Sequence, residues 1–185
     1  MLARQVICHY ERNWGPPSRR ASFSHDTGSI RVFKWSADRT SEGVALYATI
    51  GASDRIVDHR HRDHRVEYIL GLLPEQDDAA SPLSRLGSYG DRSGSSVLEG
   101  DTLSFTEPLW PGSELCALLV MRSREPLLPL LSTPDGPHVE FLQAIPLHAT
   151  EVDAKSRLGS ETLLARWEEA RVPFWDPMRA PSVPH

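Results

Sequence analysis

Lysine and cysteine are nearly missing from this chain. Two lysines, Lys34 and Lys155, stand against 18 arginines in 185 residues. That skew points to a GC-rich genome and says little about function. The two cysteines, Cys8 and Cys116, are too few and too far apart for a zinc ribbon. Each sits in an apolar context, where a small buried hydrophobe is the expected role. No run approaches the roughly 18 apolar residues that span a membrane, and the start has no signal-peptide core. The expected location is therefore cytoplasmic, with both thiols reduced. Gly-x-Gly-x-x-Gly and Gly-x-x-x-x-Gly-Lys-[Ser/Thr] are both absent, so nothing suggests nucleotide binding. The net charge of −5 and the scattered basic residues argue against a nucleic-acid platform. There is no internal repeat and no low-complexity segment.

What is present suits one soluble globular domain over 1–185. The chain is 39% hydrophobic and 24% charged. Its length fits a single core that needs neither disulfides nor metals. Residues 4–10 are compatible with a strand or a helix. Asn13 to Ser29 reads as a loop rich in Gly, Pro and Ser. Ser29 to Trp35 alternates, with Ile30, Val32 and Lys34 on one face and Phe33 and Trp35 on the other. Val44 to Ile50 and Val66 to Leu73 are apolar runs of strand length, fitting strands buried on both faces. Pro82 to Tyr89 has helical spacing, with Ser81 as its expected cap. Gly90 to Ser96 reads as a loop. Leu103 to Phe105 and Leu115 to Met121 read as strands around a turn at Pro111-Gly112. Arg122 to Pro137 is a Pro-punctuated connection whose leucines favour burial.

The segment from Val139 to Trp167 is the most informative. Val139, Phe141 and Ile145 share one strand face, and Leu142 takes the other. Pro146 is expected to end the strand. Thr150 and Asp153 are spaced as a capping box for a helix. Gly159 stops that helix, and Ser160 is the expected cap of a second one to about Ala170. Residues 172–185 hold four prolines and read as an extended tail pinned by Phe174 and Trp175. The pattern as a whole predicts an α+β fold, a central mixed, largely antiparallel sheet with helices packed on it.

Five motifs, in order, resemble the Suppressor of Fused-like domain family. They are Leu46-Tyr47-Ala48-Thr49-Ile50-Gly51-Ala52-Ser53, Arg65-Val66-Glu67-Tyr68-Ile69-Leu70, Gly100-Asp101-Thr102-Leu103 with Pro111-Gly112-Ser113-Glu114-Leu115, the strand–Ile-Pro-Leu–two-helix passage, and Asp176-Pro177-Met178-Arg179. The resemblance spans about residues 30–179. Ala52 departs from it, standing where a larger apolar residue is expected. It implies the same α+β architecture and a non-catalytic domain that sequesters or inhibits a partner protein. Stand-alone bacterial members look like immunity proteins against polymorphic toxins.

Four constellations are candidates for chemistry or binding. His59, His61 and His64 could form a three-imidazole zinc site with an open position, which is the alternative reading as a metal-dependent hydrolase. The interleaved Arg60, Arg62 and Arg65 oppose it. Ser53 follows a buried strand, but Arg55 stands where a nucleophile elbow needs Gly, so a turn-capping role is expected. Glu67 could act with Glu140 as an acid pair, although an ion pair with Arg65 on the same face is the simpler expectation. The acidic loop with Glu75, Asp77 and Asp78 could steer a basic partner, and Trp110 could anchor one or fold into the core. The site expected is thus Glu75, Asp77, Asp78 and Trp110, with no cofactor, no metal, no catalytic residue and a protein as partner.

Overall fold

The computed structural model describes residues 2–26, 28–54, 64–89, 96–123, 126–133 and 136–183. His59 and His61, and most of the Gly90 to Ser96 loop, lie outside them. Seven strands form one sheet: β1 Arg19–His25, β2 Gly28–Trp35, β3 Ala45–Ile50, β4 His64–Leu72, β5 Thr102–Ser104, β6 Ala117–Met121 and β7 His138–Leu147. Their order is β1-β2-β3-β4-β7-β6-β5. All neighbours are antiparallel except β4 and β7, which pair in parallel from His64↔His138 to Ile69↔Gln143. The helices are α1 Leu2–Trp14, α2 Ala80–Ser88, α3 Ala149–Leu158 and α4 Ser160–Ala170. This is the mixed α+β single sheet that the sequence pattern predicts.

Both sheet faces are covered. Ile30, Val32, Tyr47, Tyr68 and Leu70 meet α2 on one face. Phe33, Trp35, Leu46 and Ile69 meet α1 on the other, with Ala117, Leu119 and Ile145 under α3 and α4 further along. Double cover explains why every residue of β3 is buried. The start of the chain resolves as a helix. Val6 and Tyr10 are fully buried at helical spacing, and Tyr10 stacks on Trp14 at 5.5 Å and meets Trp35 edge-on. The Tyr10 hydroxyl donates to the Thr49 carbonyl at 3.0 Å.

Several local expectations are corrected. Residues 19–25, expected as loop, form β1, an edge strand with mostly exposed side chains. Pro146 lies inside β7, in register with Leu118. Its carbonyl accepts from Arg179 Nη2 at 2.9 Å on the side away from β6. The missing N–H would point the same way, so no ladder bond is lost. Helix α3 is capped at His148, whose backbone N–H donates to Glu151 Oε2 at 2.9 Å. Thr150 instead donates to Val183 O, and Asp153 is exposed. Helix α4 begins at Ser160 with Gly159 before it, and Ser160 Oγ reaches Gly100 O. Helix α2 grows from a 3₁₀ turn at Asp77–Ala79, which leaves Ser81 inside its first turn. Cys8 is exposed rather than buried, and Cys116 is half-buried. In the connection before β7, Leu128 is buried but Leu130 is exposed.

Candidate partner-binding surface

The acidic loop leaves the end of β4 and is held in place by β2 and β3. Tyr47 Oη accepts from the Gln76 backbone N–H at 2.9 Å. Lys34, on the α2 face of β2, places Nζ 2.6 Å from both Glu75 Oε2 and Asp77 Oδ1. Arg19 from β1 also pairs with Asp77. The Ala37 N–H donates to Glu75 Oε1 at 3.2 Å. Burial works against the Lys34 charge, but Asp77 and Glu75 outweigh it and raise the ammonium pKa. Lys34 in turn lowers both carboxyl pKa values. Asp78 is exposed and forms no ion pair among the described residues. Beside it lies a cleft of about 370 Å³ whose walls include Arg19, Phe23, Val32, Tyr47, Asp78 and Leu109. The exposed Arg19–Asp77 pair is worth about 0–1 kcal/mol, whereas the ammonium of Lys34 is buried and needs its two carboxylates, so the loop is tied to β2.

Trp110 is not part of that exposed surface. It is 2% exposed, and its Nε1–H donates to Pro177 O at 2.9 Å. Of the two roles open to it, the core one is what the fold contains. His64 opens β4 and places Nε2 3.2 Å from Glu140 Oε2. Glu140 also pairs with Arg122, whose guanidinium hydrogen bond holds its carboxyl below the ordinary range despite partial burial. Among the described residues no group of three His, Cys, Asp or Glu side chains could hold a metal.

The acid pair does not assemble either. Glu140 stands beside Val66 in the parallel register and Glu67 beside Phe141, so the two carboxylates point to opposite faces. Among the described residues, Glu67 is fully buried and forms no ion pair, which corrects the expected Arg65 pair. It accepts instead from Thr49 Oγ1 at 2.5 Å, Gly51 N at 2.9 Å, Ser53 N at 3.1 Å and Ser53 Oγ at 2.7 Å. Burial raises its pKa, and the four donors only partly offset that. Ser53 is thus a clamp on the turn after β3, where Gly51 has φ +109° and a Cβ would meet Ser29 O at 3.2 Å.

A second buried centre was missed in the sequence. Arg179, 6% exposed, grips Glu151 through Nη1 at 2.6 Å and Nη2 at 2.5 Å. Ser182 donates to Glu151 from both N and Oγ, and Arg179 lies 4.7 Å over the Trp167 ring. These contacts fasten residues 172–183 as a strap across α3 and α4. The signal was available in Asp176-Pro177-Met178-Arg179: an arginine in an otherwise apolar, Pro-rich tail needs a partner.

The Suppressor of fused protein (SUFU) family model matches residues 26–180. The chain belongs to this family. No curated protein matches its sequence. Among solved structures it is similar to a suppressor of fused homologue from Neisseria gonorrhoeae, at TM-score 0.72 and 18% identity, over 99% of this chain and 97% of that one. Drosophila Suppressor of Fused superposes at TM-score 0.68 and 16% identity. That match covers 97% of this chain but 49% of the Drosophila chain, so the chain spans about half of that relative. The chain from the Sufu–Fu complex superposes at TM-score 0.63 and 17% identity, over 89% of this chain and 81% of that one. These likenesses are likenesses of fold.

Proposed function

We propose that this SUFU-family domain is a non-catalytic protein-binding module that sequesters or inhibits one partner protein. The observation that carries the reading is the family match over residues 26–180, in a family with a member solved as a Sufu–Fu complex. The contact assigned here is the loop with Glu75, Asp77 and Asp78. Glu75 and Asp77 are held by Lys34, so little order is lost when a partner docks. Asp78 is left to meet a basic residue of the partner. The mechanism is occlusion, in which a preformed surface covers the partner's own working site.

The finer form of the proposal is an immunity protein acting in the cytoplasm against a polymorphic toxin. An acidic inhibitor speeds capture of a basic toxin by electrostatic steering, which weakens as salt rises. Trp110 takes no part at the surface, because it is committed to the core. Binding of the purified chain to its captured partner, followed by stopped-flow fluorescence at two salt concentrations, tests this. Slower association at high salt and for Asp78→Lys is expected. Association indifferent to both changes contradicts the assignment of this loop.

A further inference from the structure

The sheet ends in two unequal edges. At one end β5 is three residues long, whereas β1 at the other runs over seven, Arg19–His25. A very short edge strand is one way a sheet avoids further pairing, and β1 lacks that protection. It is paired with β2 from Arg19↔Lys34 to His25↔Gly28, and α2 packs on one of its faces. Among the described residues no backbone bond outside that ladder involves residues 19–24. Alternate N–H and C=O groups along the other side of β1 therefore point away from the sheet. Between Arg20 and Asp26 the strand reads Ala21-Ser22-Phe23-Ser24-His25, with no Pro, Gly, Lys or carboxylate to blunt the edge.

The strand is complementary to itself. Laid antiparallel on a second copy in full register, Ser22 meets Ser22 on the two-fold axis, Ala21 meets Phe23, Arg20 meets Ser24 and Arg19 meets His25. Pairing Ser22 with itself matches odd positions to odd and even to even, so outward-pointing backbone groups meet outward-pointing groups. Phe23 is half-buried at the margin of the core under α2. The small Ala21 of the second copy leaves room for that ring and covers its exposed part. No arginine meets an arginine, because the Arg19-Arg20 end of each copy lies against the His25-Asp26 end of the other. Arg20 stands diagonal to Asp26, within reach of a long side chain. Its exposed 3.4 Å contact with Glu11 is weak enough to let the guanidinium turn, while Arg19 is already paired with Asp77.

We infer that two copies of this chain pair through β1, as a two-fold dimer whose sheets run on into one another across the axis. The contact uses the same strand on both copies, so it closes at two and leaves no further β1 edge to propagate. One strand pair lies at the small end of specific interfaces, so a dissociation constant on the order of micromolar is expected. The inference does not depend on the assignment of the acidic loop.

The test is sedimentation velocity of the full chain from about 1 to about 100 μM, with Ser22→Lys and Ser22→Glu beside the wild type. Ser22 is exposed, so both variants are expected to keep the circular dichroism of the wild type. On the axis each new side chain meets its own copy, so a charge of either sign opposes pairing. The wild type is expected to pass from monomer to dimer over this range, and each variant alone to dimerise at least about tenfold more weakly. An equimolar mixture of the two variants is expected to recover the dimer, since Lys then meets Glu. A monomer at every concentration overturns the inference. So does a dimer indifferent to both variants, or one that the mixture of folded variants fails to restore. A monomeric wild type whose captured protein partner is lost on Ser22→Lys would assign the edge to an added strand of that partner, and would equally overturn it.

Discussion

Four donors converge on the Glu67 carboxylate, and among the described residues no cation does. A carboxylate is chosen here because it only accepts, and the turn after β3 offers only donors. Glu67→Gln keeps the size but turns an NH₂ toward those donors. The expected loss is about 1–3 kcal/mol in urea unfolding; an unchanged midpoint would contradict the clamp. Glu151 behaves differently. Burial pushes its pKa up, but Arg179, Ser182 and the His148 N–H outweigh burial and hold it below its ordinary value of 4.5. The folded pKa is thus below the unfolded one. The stability it supplies is present above the unfolded value and is lost as pH falls through the folded one. Glu151→Gln should flatten that part of the acid stability profile, and a profile identical to wild type would refute the linkage.

At the scale of elements, the strap of residues 172–183 depends on one arginine. Arg179→Ala leaves Glu151 buried without its cation, which costs about 3–5 kcal/mol. Trp167, stacked under Arg179, reports it: its fluorescence should shift toward that of a solvated indole at denaturant concentrations where wild type is unchanged. Coincident wild-type and variant transitions would show that the strap is not held this way. The elements readable from sequence were those with a dense apolar pattern. Strands β2, β3, β4 and β7 and helices α3 and α4 follow from residues such as Val32, Tyr47 and Leu142, whose spacing alone fixes their faces. Strand β1 was not readable because its inward residues, Ala21, Phe23 and His25, are only half-buried between exposed arginines and serines; it exists because β2 offers a ladder partner. Pro146 misled because its cost depends on which way the residue points, a fact of register. The caps at Thr150 and Ser160 misled because tertiary contacts with Val183 and Gly100 took both hydroxyls.

At the scale of the molecule, the two faces of the sheet differ. One presents the acidic loop and its cleft, the other is covered by α1, α3 and α4. The acidic loop was legible from composition alone, whereas its neutralisation by Lys34 and Arg19 was not, since those residues come from distant strands. Trp110 could have been surface or core by sequence, and only the bond to Pro177 decides it. Ser53 took the turn-capping role the sequence suggested, with its hydroxyl committed to the Glu67 carboxylate.

The central claim is that this chain holds one protein partner. The most direct measurement is affinity capture from its source cells with the tagged full chain and with Asp78→Lys, read by quantitative mass spectrometry, with metal content taken on the same sample. The account predicts one protein retained at near-stoichiometric amount by the wild type and depleted by about tenfold on the variant. Retention of no protein, together with about one zinc per chain, would contradict it and return attention to the segment from His59 to His64.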